Sequence, residues 1–231
     1  MSGKWIDIKA HDGGSMPAYL AVPHTGKGPG IVLIQEIFGV NGHIRAVADQ
    51  YATDGYTVLA PDLFWRIKPH IELGYSDADL QTGLGHMNAM NFPNAMADIA
   101  TSVKALRARP EANGRVASLG YCMGGLLSFL AAANAGVDAA VCYYGVIGEQ
   151  QVGESAKIKC PILLHFAAND GFVPMTAVEA VKKGLSAHAK ARVDVYPGVD
   201  HGFNCWERGS YNQQAASLAR GRSLAFLATE L

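Results

Sequence analysis

The sequence predicts an α/β fold: a doubly wound, mostly parallel sheet with helices on both faces, preceded by an N-terminal hairpin. Three observations carry this reading. Six continuous apolar runs have the length and residue types of strands buried on both faces, amphipathic helical patterns lie between them, and two short runs at the start are joined by a polar turn.

The hairpin consists of 4-KWIDIKA-10 and 16-MPAYLAVP-23, joined by His11-Asp12-Gly13-Gly14-Ser15, residue types that favour turns. The first buried strand, 30-GIVLIQ-35, leads to a helical pattern over 43–53 that Gly55 breaks. After the strand 56-YTVLAP-61 comes the longest loop-like stretch, roughly 66–91, mixed in composition rather than linker-like. A helix over 94–109, with Asn94 as its start signal, precedes the strand 115-RVASLG-120. A helix over 123–135 then ends at Gly136, and the strands 138-DAAVCYYG-145 and 161-PILLHFAA-168 follow. The last units are a helix over 175–188, with Thr176 as start and Gly184 as break, the strand 192-RVDVYPG-198 and a helix over 211–230. Each helix carries apolar residues at spacings of three and four.

At 231 residues, 49% hydrophobic and 17% charged, the chain is long and apolar enough to bury a sizeable core, and we expect one domain over 1–231. The formal net charge is −1 and the basic residues are scattered, so no Lys/Arg stripe is available for nucleic acid or an anionic membrane. The opening MSGKWIDIKAHDGG lacks the apolar core of a signal peptide, and the most apolar region, 126–148, is broken by Asn134, Gly136 and Asp138. We expect a cytoplasmic protein. Cys122, Cys142, Cys160 and Cys205 are far apart and lack CxxC or zinc-ribbon spacing, so they read as reduced thiols, with no metal and no cofactor expected. No exposed heptad or apolar stripe is readable, which leaves a monomer or a small homo-oligomer open.

In a parallel sheet of this kind the ligand site lies at the carboxyl ends of the strands. Three polar residues follow strand ends there: Cys122 after 115–120, Asp170 after 161–168 and His201 after 192–198. Nucleophile, acid and histidine in that order is the chain order of the α/β-hydrolase triad, and Gly120-x-Cys122-x-Gly124 has the glycine spacing of its nucleophile elbow. At a helix N-terminus the dipole favours the thiolate, and the amide of Met123 is free to bind an oxyanion. His201 would move the proton and Asp170 would orient it. The loop after 30–35 holds Gln35-Glu36-Ile37-Phe38-Gly39, and the Ile37 amide is the candidate second oxyanion donor. Glu36, a carboxylate ending a buried strand, is either functional or tied to an arginine.

The segments 33-LIQEIFG-39, 60-APDLFWR-66, 119-LGYCMGG-125, 165-HFAANDGFVP-174 and 196-YPGVDHGF-203 together resemble the dienelactone hydrolase family of α/β-hydrolases, also called carboxymethylenebutenolidases, over nearly the whole chain. The resemblance implies hydrolysis of a small-molecule ester or lactone by a Cys122-Asp170-His201 triad. It also implies that Glu36 interacts with the resting thiol and is displaced by an anionic substrate. Best-known members hold the substrate carboxylate with two arginines, one four residues after the triad histidine and one near residue 81. Here the first position is Cys205 and no arginine occurs between Arg66 and Arg107, which leaves Arg208, His86 or Lys68 as sources of positive charge. Small esters without a carboxylate are the alternative substrate. A thiol redox or binding protein without turnover and a cysteine peptidase are the rival readings.

Overall fold

In the computed structural model, which describes residues 3–231, all strands belong to one eight-stranded sheet. β1 (Lys4–Lys9) and β2 (Ser15–Ala21) form the N-terminal hairpin, in register from Lys4 opposite Leu20 to Lys9 opposite Ser15. β2 pairs antiparallel with β4 (Thr57–Pro61), which lies parallel beside β3 (Gly28–Ile34). On the other side of β3 the parallel sheet continues through β5 (Ala112–Tyr121), β6 (Ala139–Tyr143), β7 (Ile162–Ala167) and β8 (Ala191–Tyr196). Every residue of β4, β6 and β7 is buried, the physical counterpart of their unbroken apolar runs.

The chain leaves β3 toward β4 and then returns to place β5 on the opposite side of β3. The direction of winding therefore reverses between β3 and β5, and the carboxyl ends of these two strands open onto the crevice where doubly wound sheets bind ligands. Helices cover both faces. α1 (Gly42–Thr53) and α7 (Gln213–Glu230) bury Ile44, Val47, Tyr51, Ala219 and Leu227 on one side. α3 (Phe92–Arg107), α4 (Met123–Asn134) and α6 (Met175–Gly184) bury Ile99, Val103, Leu127, Ala131 and Val178 on the other.

The differences from the sequence reading fall at helix ends and in the long stretch. The region 66–91 is not all loop: it contains α2 (Asp77–Ala89), opened by a capping box in which the Ser76 side chain accepts from the Asp79 amide and the Asp79 carboxylate accepts from the Ser76 amide. α2 was hidden because Gly83 is its one buried residue, so it has no broad apolar face to set a period. α3 starts two residues before Asn94. Its cap is Asn91, whose side chain accepts from the Asn94 amide at 2.9 Å, and Pro93 occupies the first turn, where a missing N–H costs nothing. α6 begins after Pro174 without a side-chain cap from Thr176, and it ends at Gly184 rather than at 188. A short helix α5 (Glu149–Val152) and a 3₁₀ turn (Gly153–Lys157) fill the connection between β6 and β7.

Candidate active site

Cys122 stands between the end of β5 and the first turn of α4 with φ 55° and ψ −116°, a backbone conformation unfavourable for any residue with a side chain. The surroundings enforce it. A Cβ on Gly120 would lie 2.0 Å from the Gly124 carbonyl oxygen, and one on Gly124 would lie 2.3 Å from that of Ile34, so neither position admits another residue without moving backbone. The Cys122 N–H donates to the Tyr143 carbonyl at 3.0 Å, which ties the turn to the end of β6. Met123 is the first residue of α4, so its N–H has no acceptor within the helix.

Asp170 and His201 come from the connections after β7 and β8. Asp170 Oδ2 accepts from His201 Nδ1 at 2.8 Å, while Oδ1 accepts from the amides of Phe172 and Val173 at 2.8 and 3.0 Å. The same carboxylate thus holds its own turn and the imidazole. A residue the sequence reading missed fixes the two loops to each other: Asp200 Oδ1 accepts from the amides of His201 and Gly171 at 2.6 and 3.2 Å. Asp170 and His201 are both buried, and His201 Nε2 has no hydrogen-bond partner among the described residues. Burial pulls the His201 pKa down, but its neighbours Cys122 and the Asp170 carboxylate outweigh it and push the pKa up to about 10.

Glu36 has fixed partners in the fold. Its side chain is spent on Arg208 and Tyr75: Arg208 Nη1 donates to Oε1 at 3.3 Å and the Tyr75 hydroxyl donates to Oε2 at 3.2 Å. Asn41 Nδ2 in turn donates to the Tyr75 oxygen at 3.2 Å. No hydrogen bond joins Glu36 to Cys122 among the described residues. The reason is burial. A carboxylate with almost no exposure needs fixed donors, and desolvation still raises its pKa against the pull of Arg208. Arg208 is accordingly a partner of Glu36 first, with its guanidinium lying over the rings of Phe38 and Tyr75. Cys205, unexplained in the sequence, is a buried thiol of this cluster, pushed up to about 12 by burial and by the charge of Glu36.

Cys122, His201, Met123, Ile37 and Arg208 line one cavity of about 250 Å³. The rest of its wall is apolar, with Phe38 and Val146 from the connections after β3 and β6, Leu126 from α4, and Leu80, Leu84 and Met87 from α2. His86 is a correction. It lies with Lys68, His70 and Glu72 along a separate surface depression, its ring 5.6 Å from that of Phe64, so neither His86 nor Lys68 belongs to the lining of the Cys122 cavity. Among the described residues no group of three or more His, Cys, Asp or Glu could hold a metal ion, and no helix is long and apolar enough to cross a membrane.

A doubly wound sheet with a strained turn after β5, an acid beyond β7 and a histidine beyond β8 has the architecture of the α/β-hydrolases. The profile of the dienelactone hydrolase family matches residues 16–231, and the chain belongs to that family. It is 34% identical over 224 residues to the carboxymethylenebutenolidase of Pseudomonas putida, covering 96% of this chain and 95% of that one. A candidate carboxymethylenebutenolidase of Azospirillum brasilense is 38% identical over 229 residues, 98% of both chains. Among solved structures, a candidate dienelactone hydrolase from Klebsiella pneumoniae subsp. pneumoniae superimposes with a TM-score of 0.88 at 32% identity, covering 98% of each chain.

Proposed function

We propose that this chain hydrolyses small carboxylic esters and lactones with Cys122 as nucleophile, His201 as proton carrier and Asp170 as the group that orients it. The observation that carries the reading is the pairing of a strained, glycine-flanked Cys122 with a His201 whose Nε2 is left without a partner, both on the wall of one cavity. Catalytic hydrogen bonds often tighten only as the reaction proceeds, so an Nε2 not committed to another partner is compatible with proton transfer at Cys122.

In the first half-reaction the Cys122 thiol gives its proton to His201 Nε2 and its sulfur adds to the carbonyl carbon. The amides of Met123 and Ile37 hold the oxyanion. The C–O bond then breaks, the leaving alkoxide takes the proton from Nε2, and a thioester remains on Cys122. In the second half-reaction His201 takes a proton from water, the hydroxide attacks the thioester, the C–S bond breaks, and the proton returns to the thiolate. A lactone is opened to its hydroxy acid by the same steps. Asp170 keeps Nδ1 protonated and Nε2 facing the thiol throughout. The four free cysteines support a reducing, cytoplasmic setting.

The test is hydrolysis of p-nitrophenyl acetate and dihydrocoumarin by the wild type, Cys122→Ala and Cys122→Ser. Cys122→Ala should lose turnover with an unchanged circular dichroism spectrum, and Cys122→Ser should keep only a small fraction, because a hydroxyl is far less acidic than a thiol. Undiminished turnover in a folded Cys122→Ala variant would overturn the reading.

A further inference from the structure

α2 is polar over most of its surface, yet Leu80, Leu84 and Met87 recur at spacings of four and three and all three line the Cys122 cavity. The helix is seated there by a glycine. A Cβ on Gly83 would lie 2.7 Å from the carbonyl oxygen of Ile37 and 3.1 Å from its Cγ1, so the absence of a side chain lets α2 close directly over the loop that carries the Ile37 amide. Phe92, Val146 and Phe172 also line the cavity. Val146 and Phe172 are 42% and 50% exposed, which puts them at the mouth rather than in the core.

The charge in the cavity is already answered. Arg208 is its cationic group, and Glu36 is held against that guanidinium with the Tyr75 hydroxyl on its other oxygen. A substrate carboxylate would meet a neutralised pair and a wall of hydrocarbon, and would leave water for little return. His43, beside this cluster and edge-on to Trp206 with ring centroids 4.2 Å apart, adds no compensating charge, since burial holds it neutral with a pKa pushed down to about 4.

From this geometry we propose that α2 is the specificity element of the site, and that the substrate is an uncharged ester or lactone whose acyl group is an unbranched or cyclic hydrocarbon packed against Leu80, Leu84 and Met87. The acyl group is the part assigned to α2 because it stays bound to Cys122 through both half-reactions, whereas the alcohol of an ester departs through the mouth after the first and that of a lactone stays tethered to the acyl group. Contacts to the acyl group are therefore available to both transition states. The proposal rests on the ester hydrolase reading above. A cavity of about 250 Å³ lies below the ~300–1,000 Å³ of pockets for drug-sized ligands, so a short acyl group is meant.

The experiment measures kcat/KM for p-nitrophenyl acetate, butyrate and hexanoate, and for mono-p-nitrophenyl adipate, which matches hexanoate but ends in a carboxylate. Each methylene in contact with the wall gains up to about fourfold, so hexanoate should exceed acetate at least tenfold and should exceed the adipate ester by a similar factor. Leu84→Lys should lower the hexanoate-to-acetate ratio about tenfold and raise the adipate-to-hexanoate ratio. Leu84→Met should keep both ratios near wild type and separates lost contact from lost folding. A flat chain-length profile with turnover that still depends on Cys122 would overturn the role of α2 and leave the reaction standing. Equal rates for adipate and hexanoate would overturn the preference for uncharged substrates. Absence of turnover with every ester would instead remove the reading on which the proposal rests.

Discussion

Glu36 and Arg208 lie 172 residues apart in sequence, and nothing in a linear reading couples them. The carboxylate was legible as needing a partner, because it ends a buried strand, but the partner depends on how the loop after β8 folds back. That fold-back is permitted by Gly202, where φ is 78° and a Cβ would stand 2.5 Å from Arg208 Nη1. The placement of Cys122, Asp170 and His201 was more legible for a physical reason: each follows a strand end, and the close approaches at Gly120 and Gly124 are local consequences of one tight turn. The ion pair makes two separable predictions. Glu36→Gln keeps the shape and removes the charge that neutralises Arg208, so kcat/KM for the adipate ester should rise severalfold relative to hexanoate, measured side by side. Arg208→Ala instead leaves Glu36 buried with only the Tyr75 hydroxyl, and should lower stability by roughly 3 kcal/mol in urea unfolding. A stable Arg208→Ala variant with normal urea sensitivity would show that Glu36 is protonated in the fold and needs no cation.

At the scale of elements, strands were readable because burial on both faces leaves an unbroken apolar run, whereas the two helices least like amphipathic ribbons hid their roles. α2 packs by one glycine and a narrow stripe, so its Ser76-x-x-Asp79 start was the one usable signal. α7 docks mainly through small residues, and a polar residue on its buried face does the work of orientation. Ser223 Oγ meets the Tyr143 hydroxyl of β6 at 2.7 Å and His165 Nε2 of β7 at 2.9 Å, and His165 Nδ1 meets the Tyr196 hydroxyl of β8 at 2.9 Å. One serine thus ties the helix to two strands, and through His165 to a third. Ser223→Ala removes little volume but leaves a buried hydroxyl and an imidazole nitrogen without their partner, which costs about 1–3 kcal/mol. The urea midpoint should fall with an unchanged slope. Ser223→Thr, which keeps the hydroxyl, should recover part of the loss if hydrogen bonding and not packing sets it.

Over the whole molecule, strand alternation was enough to give a parallel sheet with a hairpin at its edge, but the reversal of winding between β3 and β5 was not readable, since each strand is equally apolar and order is set by crossovers. The same burial that made strands legible controls how the protein responds to pH. Desolvation pushes His165 down to about 3 and His43 to about 4, from 6.5. Below pH 6.5 the unfolded chain takes up protons at these positions while the folded protein does not, so their contribution is fully present above 6.5 and is lost as pH falls toward those values. His201 acts in the opposite sense. Its pKa is pushed up to about 10, so its contribution is complete below 6.5 and is lost as pH rises through 10. Stability governed by these histidines should therefore be greatest near pH 6.5. The buried carboxyls of Glu36 and Asp62, both raised mainly by desolvation, oppose the acid loss, so a difference between two proteins isolates one histidine better than a single pH curve. His165→Asn supplies it: the variant should be less stable than wild type at pH 7.5, and the gap should narrow by up to about 1.4 kcal/mol per pH unit below 6.5, because only the wild type must keep a buried imidazole neutral. Urea unfolding of both proteins at pH 7.5, 6.0 and 5.0 measures it, and a gap that does not change with pH would mean that His165 takes up a proton inside the fold.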